Sequence, residues 1–277
     1  MQTRKKRLET IDTIRGITLI SMILYHFCWD LKYIKGLNMP WYGTFGSYLW
    51  QQSICWSFIL ISGFCMHFAR KPIRNGVLVF LCGIIITCVT VLVLPDAPVY
   101  FGVLTFLGSA MILLGAVISL YNKINSTGNA GLSGINGKSN GPDLSVANSK
   151  DPLWGLFISV VLFAITKPIN RGFLNLFVSN IALPDTLYGQ VGQDVLHNSY
   201  LTYLGFMQNG FYSSDYFSLM PWIFLFIAGY FLHSVIKKKF GFGIFHINIK
   251  PLSWIGRHSL IIYMLHQPVL YGITMIL

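Results

Sequence analysis

The segment LISMILYHFCWDL, residues 19–31, has the hydropathy of a membrane-spanning helix, yet it contains a histidine and an aspartate. At about 100° per residue, His26 and Asp30 stand about 40° apart and one turn from each other, close enough to meet. Arg15 precedes His26 on the same face, roughly three turns plus about 20° away and about 16 Å along the axis. Asp12 sits one turn before Arg15 and can partly neutralise it. Ionisable groups at membrane depth are costly and face a cavity or a partner by default. A histidine held by a carboxylate is suited to general-base work, because its pKa lies near neutrality and the acid fixes its tautomer. Blander readings stand beside this one. Asp30 could simply mark the helix end, Arg15 could snorkel to the headgroups, and His26 could be a neutral histidine bonded to a neighbouring helix.

A second polar set lies in WIGRHSLIIYMLHQPVLYG, residues 254–272. His266 lies about as far from the start of this segment as His26 lies from the start of its own, so parallel helices could bring the two into one cavity. Gln267 beside it is a candidate substrate contact. Arg257 suits a phosphate or a lipid headgroup, and Ser259 shares the face of His266 as packing or pore lining. The stretch SSDYFSLMPWIF, residues 213–224, adds Asp215 at a helix mouth, where an acid is also a common cap. Its Tyr216 and Trp222 are expected as interface aromatics. His67 and His233, near the inner ends of their helices, are expected to face headgroups, while His197 and His246 carry no signal.

The elements that position these residues follow from composition. The chain has 277 residues, of which 54% are hydrophobic and 10% charged. That excess is too large for an ordinary soluble domain. Windows of about 20 apolar residues, the length that crosses a bilayer, recur at 11–31, 46–69, 76–94, 102–121, 153–168, 217–236 and 254–276. The expectation is an all-α polytopic membrane protein of about seven helices, forming a single domain over 1–277. Lys32, Lys35, Lys167 and Arg171 fall on one side, and the other sixteen of the twenty Lys and Arg residues on the side of the N-terminus. The positive-inside bias therefore predicts the N-terminus inside and the C-terminus outside, in the cell membrane. The first apolar stretch is too long for a signal peptide, and it lacks a small-residue cleavage site.

The net charge of +11 sits in juxtamembrane clusters, among them Arg70, Lys71 and Arg74. Such clusters touch lipid headgroups and form no basic face for a nucleic acid. The five cysteines lie in apolar segments without metal spacing and read as small core residues. Residues 122–151 are rich in Gly, Ser and Asn, the composition of a flexible cytoplasmic linker. The long segment 169–216 is expected outside, with Tyr188 and Asp215 among its polar aromatics and acids, and with a helix over 194–207. A homo-oligomer stays open.

RLETIDTIRGITLISMILYHFCWDL resembles the opening helix of the bacterial relatives of heparan-α-glucosaminide N-acetyltransferase, and WSFILISGF resembles their second helix. SDYFSLMPWIFLFIAGY and PLSWIGRHSLIIYMLHQP resemble their later signatures. The Arg15 to His26 spacing is similar to that of the wider transmembrane acyltransferase superfamily. The resemblance implies acetyl (or other acyl) transfer from cytoplasmic acetyl-CoA to a sugar or glycan acceptor outside, without a metal. On that reading Arg15, Asp12, Arg70, Lys71, Arg74 and Arg257 serve the CoA thioester, the Arg15–His26 span being comparable with the pantetheine arm. His26 would be the general base, Asp30 its orienting partner and His266 a second acid/base group, with Asp215, Tyr216, Trp222 and Gln267 for the acceptor. The loop LKYIKGLNMPWYG has no histidine, whereas the family's lysosomal enzyme carries one there, so His26 could instead deprotonate the acceptor for direct attack on the thioester, and direct transfer and an acetyl-histidine both stay open. The rival class is a proton-coupled transporter or carrier using His26 and Asp30 as a relay. No inverted repeat or pair of broken helices supports that rival.

Overall fold

The computed structural model describes residues 8–128, 151–189, 195–243 and 247–277. The basic run at 4–7, most of the 122–151 linker, Asp194 and His246 lie outside the described residues, as does the side chain of His197. Among the described residues there are nine helices: α1 (Glu9–Tyr33), α2 (Phe45–Cys65), α3 (Pro72–Val93), α4 (Val103–Gly128), α5 (Pro152–Thr166), α6 (Val195–Leu204), α7 (Leu219–Lys239), α8 (Lys250–Arg257) and α9 (Ser259–Ile276). A two-stranded antiparallel hairpin pairs β1 (Phe173–Asn175) with β2 (Asn180–Ala182), Leu174 opposite Ile181.

Among the described residues, seven stretches are long and apolar enough to cross a membrane: Glu9–Tyr33, Phe45–Phe68, Pro72–Val93, Val103–Ile124, Pro152–Arg171, Leu219–Lys239 and Ser259–Ile276. The chain is a multi-pass membrane protein. Helix starts follow local chemistry. Pro72 and Pro152 open α3 and α5, where the missing N–H costs nothing. The Asp151 carboxylate caps α5 by accepting the Leu153 N–H at 3.3 Å.

The expected seventh span, 254–276, is broken. After α8 the backbone N–H of His258 turns back to the carbonyls of Trp254 and Ile255, at 3.2 and 3.1 Å, and α9 starts afresh at Ser259. Apolar residues flank the joint on both sides and no proline marks it. The only interruption is the exposed pair Arg257 and His258, and hydropathy alone reads across it.

The chain forms two compact units, Met1–Ile61 with Ile236–Leu277 and Ser62–Val235. In the first, α8 lies against the start of α1 at backbone distance. A Cβ at Gly16 would sit 2.1 Å from the Leu252 carbonyl oxygen, and one at Gly256 would sit 1.9 Å from that of Asp12. The hydroxyls of Thr13 and Ser253 meet at 2.7 Å beside them. Small residues that let helix backbones touch are the usual adhesive where hydrophobic exclusion of water is absent. Further along α1, the Trp50 indole of α2 donates to Ser21 at 2.8 Å. Tyr25 packs between the rings of Tyr42 and Trp50, with centroids 5.1 and 5.2 Å away. Lys32 closes the loop after α1 by donating to the Tyr42 carbonyl.

The second unit corrects two expectations. His67 and His233 are not turned to headgroups but buried, at 8% and 5% exposure. Their rings stack at 3.9 Å, and His67 stacks on Tyr230 at 4.0 Å. His67 Nε2 lies 3.1 Å from the Tyr230 carbonyl. A stacked, hydrogen-bonded imidazole gains more from packing than from hydration, so both histidines sit inside the fold. Nor are the cysteines core residues: Cys28, Cys55, Cys65 and Cys82 are half-buried and Cys88 is exposed. In hydrocarbon the outward faces of helices are as apolar as the inward ones, so an apolar residue type does not mark the core.

The segment expected as a long outer loop is partly folded. It holds the hairpin, a 3₁₀ turn at Asp185–Tyr188 and α6. The Tyr188 hydroxyl ties it down by donating to the Ile169 carbonyl at 2.5 Å.

Candidate active site

The first unit gathers the chemistry-bearing residues of α1 and α9. The helix α1 runs unbroken through Arg15, His26 and Asp30, so their common face and the roughly 16 Å rise from Arg15 to His26 hold. The helix α9 runs beside it. The imidazoles of His26 and His266 meet with centroids 5.0 Å apart at 59°. Next to them, the Gln267 amide donates through Nε2 to Asp30 Oδ1 at 2.9 Å. This last contact takes the place of the expected Asp30–His26 pairing: among the described residues no hydrogen bond joins those two side chains. Asp30 is completely buried and reaches across to α9 rather than along its own helix.

His266 is held from its own helix. Its Nδ1 lies 2.5 Å from the Tyr263 carbonyl oxygen. A carbonyl can only accept, so Nδ1 carries the hydrogen and Nε2 of the neutral ring is a bare acceptor. That Nε2 is buried without a hydrogen-bond partner, as are Asp30 Oδ2 and Gln267 Oε1. These three buried lone-pair acceptors lie together around the Asp30–Gln267 contact, whereas native interiors satisfy nearly all such atoms. Tyr263 was missed as a contributor because its carbonyl, not its side chain, does the holding. The i−3 spacing to His266 is the one signal that could have found it.

At the other end of α1, Asp12 is buried under α8 through its contact with Gly256, whereas Arg15 is half-buried. Arg257 is exposed at the end of α8, its Nε donating to the Ser253 carbonyl at 3.1 Å. Both arginines lie toward the end of α1 that packs against α8. Outside the spans, Tyr42 is buried behind the Tyr25 ring. Burial pushes its phenol well above the ordinary tyrosine range, and the neighbouring Tyr25 side chain adds to this.

The remaining candidates belong to the second unit. Arg70, Lys71 and Arg74 are exposed around the start of α3. Asp215 caps α4, its Oδ2 accepting the Val103 N–H at 3.3 Å. The Tyr216 hydroxyl donates to the Thr202 carbonyl at 2.5 Å, and burial raises its phenol pKa. Trp222 is buried rather than turned to an interface. Phe163 and Phe217 flank its ring, and the Lys167 ammonium lies 4.0 Å from its centroid. Among the described residues no group of His, Cys, Asp or Glu has the geometry to hold a metal ion.

No curated protein and no solved structure matches the chain. The family model described as heparan-α-glucosaminide N-acetyltransferase, catalytic, matches residues 7–132 and 151–268. That match covers α1 to α8 and α9 as far as Pro268, including all the polar residues of α9 described above. The chain therefore belongs to the heparan-α-glucosaminide N-acetyltransferase catalytic-domain family, a family of membrane acetyltransferases.

Proposed function

We propose that this chain transfers an acetyl group from cytoplasmic acetyl-CoA to a hydroxyl or amine of a sugar or glycan acceptor at the outer face of the cell membrane. The observation that carries this reading is the meeting of His26 and His266 beside the Asp30–Gln267 bridge, within the family's catalytic domain. Arg15 and Arg257 hold the phosphates of the donor, with Asp12 moderating Arg15. The Arg15–His26 rise suits a donor anchored near the start of α1 whose thioester reaches the histidines. Enclosure between helices is what makes such a polar track tolerable at membrane depth.

The tautomer argument exchanges the roles expected of the two histidines. His266 Nε2, bare and aimed by Tyr263, accepts the proton of the acceptor O–H or N–H. The acceptor heteroatom attacks the thioester carbonyl, the C–S bond breaks, and the departing CoA thiolate recovers the proton from His266. His26, 5.0 Å away, supplies the second polar group that steadies the imidazolium and the developing oxyanion. No acyl-enzyme is required. The test is to supply labelled acetyl-CoA to membranes with and without the protein and identify the envelope glycan that gains label. Equal labelling in both membranes sinks the reading.

A further inference from the structure

Asp30 and Gln267 are unlike a bond made only for packing. An ionised carboxylate only accepts, so the Gln267 nitrogen must face Asp30 Oδ1 and its oxygen must point away. Asp30 Oδ2 and Gln267 Oε1 are then both acceptors, both buried, and both without a partner. His266 Nε2, from the residue next to Gln267, is a third acceptor of the same kind. One Gln267 N–H and the His266 Nδ1–H are already committed elsewhere, to Asp30 Oδ1 and to the Tyr263 carbonyl. A completely buried carboxylate oxygen with nothing to bind costs the fold stability, so a ligand that meets it recovers a large share of that penalty.

We infer that the Asp30–Gln267 pair is a specificity clamp that selects acceptors presenting several hydrogen-bond donors, and rejects anionic acceptors at this position. The inference rests on the acetyl-transfer reading above, and it names which acceptor chemistry that same site takes. A head group bearing adjacent hydroxyls, or an ammonium beside a hydroxyl, gives one donor to each clamp oxygen and leaves the reacting O–H or N–H for His266. A carboxylate or phosphate in the same place brings only lone pairs. It would leave all three acceptors unmet and set a negative charge against Asp30, a repulsive element of the kind that produces discrimination.

The substitution Asp30→Asn tests this cleanly. Asparagine keeps an oxygen for the Gln267 donor, and at the other position it replaces the bare acceptor by an N–H donor of nearly the same shape. Three probe acceptors serve: methyl glucoside, methyl glucosaminide and methyl glucuronide, each with labelled acetyl-CoA and detergent-solubilised full-length protein. The wild type is expected to acetylate, or to be thermally stabilised by, the first two and not the glucuronide. In Asp30→Asn the KM for the favoured probes is expected to rise by about tenfold to a hundredfold, the range for a lost charge-assisted hydrogen bond, with kcat less affected and the glucuronide relatively improved. Thermal stabilisation by CoA, read in parallel, separates the two claims. If CoA stabilises both proteins but Asp30→Asn keeps the wild-type ranking and KM, the clamp is refuted and acetyl transfer stands. If CoA stabilises neither, the transfer reading fails first. A wild type that prefers the glucuronide also overturns the clamp.

Discussion

The contact between α1 and α8 offers a prediction whose size can be worked from distances. A Cβ added at Gly16 would lie 2.1 Å from the Leu252 carbonyl oxygen, whereas real Cβ atoms essentially never come within 3.0 Å, so the helices must part by about 1 Å. The obstacle is backbone on both sides and cannot rotate away. Overpacking of this kind costs about 1–3 kcal/mol, on the order of 2–10 °C in Tm for a chain of this size. The same shift separates Thr13 from Ser253, now 2.7 Å apart, and moves the root of α9. Misplacement by about 1 Å around reacting groups can cost roughly a hundredfold in rate. Gly16→Ala, and independently Gly256→Ala, should therefore lower the melting temperature of the solubilised protein and reduce acetyl transfer by one to two orders of magnitude. Tryptophan fluorescence melting and label transfer from acetyl-CoA measure the two effects. A Gly16→Ala protein that melts and turns over like the wild type would refute the close approach and the positioning argument built on it.

Four further outcomes follow. His266→Asn keeps a donor for the Tyr263 carbonyl but removes the base, so transfer should fall by about 10²–10⁴-fold with Tm preserved, and His26→Ala should also lose transfer while folding normally. Asp215→Ala should lose about 0.5–2 kcal/mol with the α4 cap, read as a lower Tm. Asp215→Asn should retain most of it, and a KM change in Asp215→Asn would instead place Asp215 at the acceptor. His67→Ala opens the Tyr230–His67–His233 stack and should cost about 2–5 kcal/mol, with turnover per folded molecule retained. Burial raises the phenol pKa of Tyr42 and Tyr216, so the folded state holds these protons more tightly than the unfolded. Their contribution is complete below about pH 10 and is lost as pH rises beyond it. Tm should decline above that pH, and less steeply in Tyr42→Phe.

Much of this arrangement is legible in the sequence where helical period alone decides geometry. The face shared by Arg15, His26 and Asp30 depends only on 3.6 residues per turn, and the meeting of His26 with His266 follows from matched depth in parallel spans. What stayed hidden depends on partners distant in the chain. Asp30 has two neighbours to choose from, His26 one turn away and Gln267 on α9, and only packing decides for Gln267. The break at His258 has no proline to announce it, and Gly256 two residues earlier serves the close packing of α8 on α1. His67 and His233 look like headgroup residues because position along a helix predicts depth and not which side faces inward. Strands of three residues, as in the 173–182 hairpin, are too short to show alternation.

The most direct test of the central claim is transfer of label from acetyl-CoA in native membrane vesicles containing the wild type, His26→Ala or His266→Asn, with each protein's abundance and melting temperature measured alongside. The account predicts label in an outer-face glycan with the wild type, and at least a hundredfold less with His266→Asn at equal abundance and unchanged Tm. Undiminished labelling in both histidine variants would contradict it.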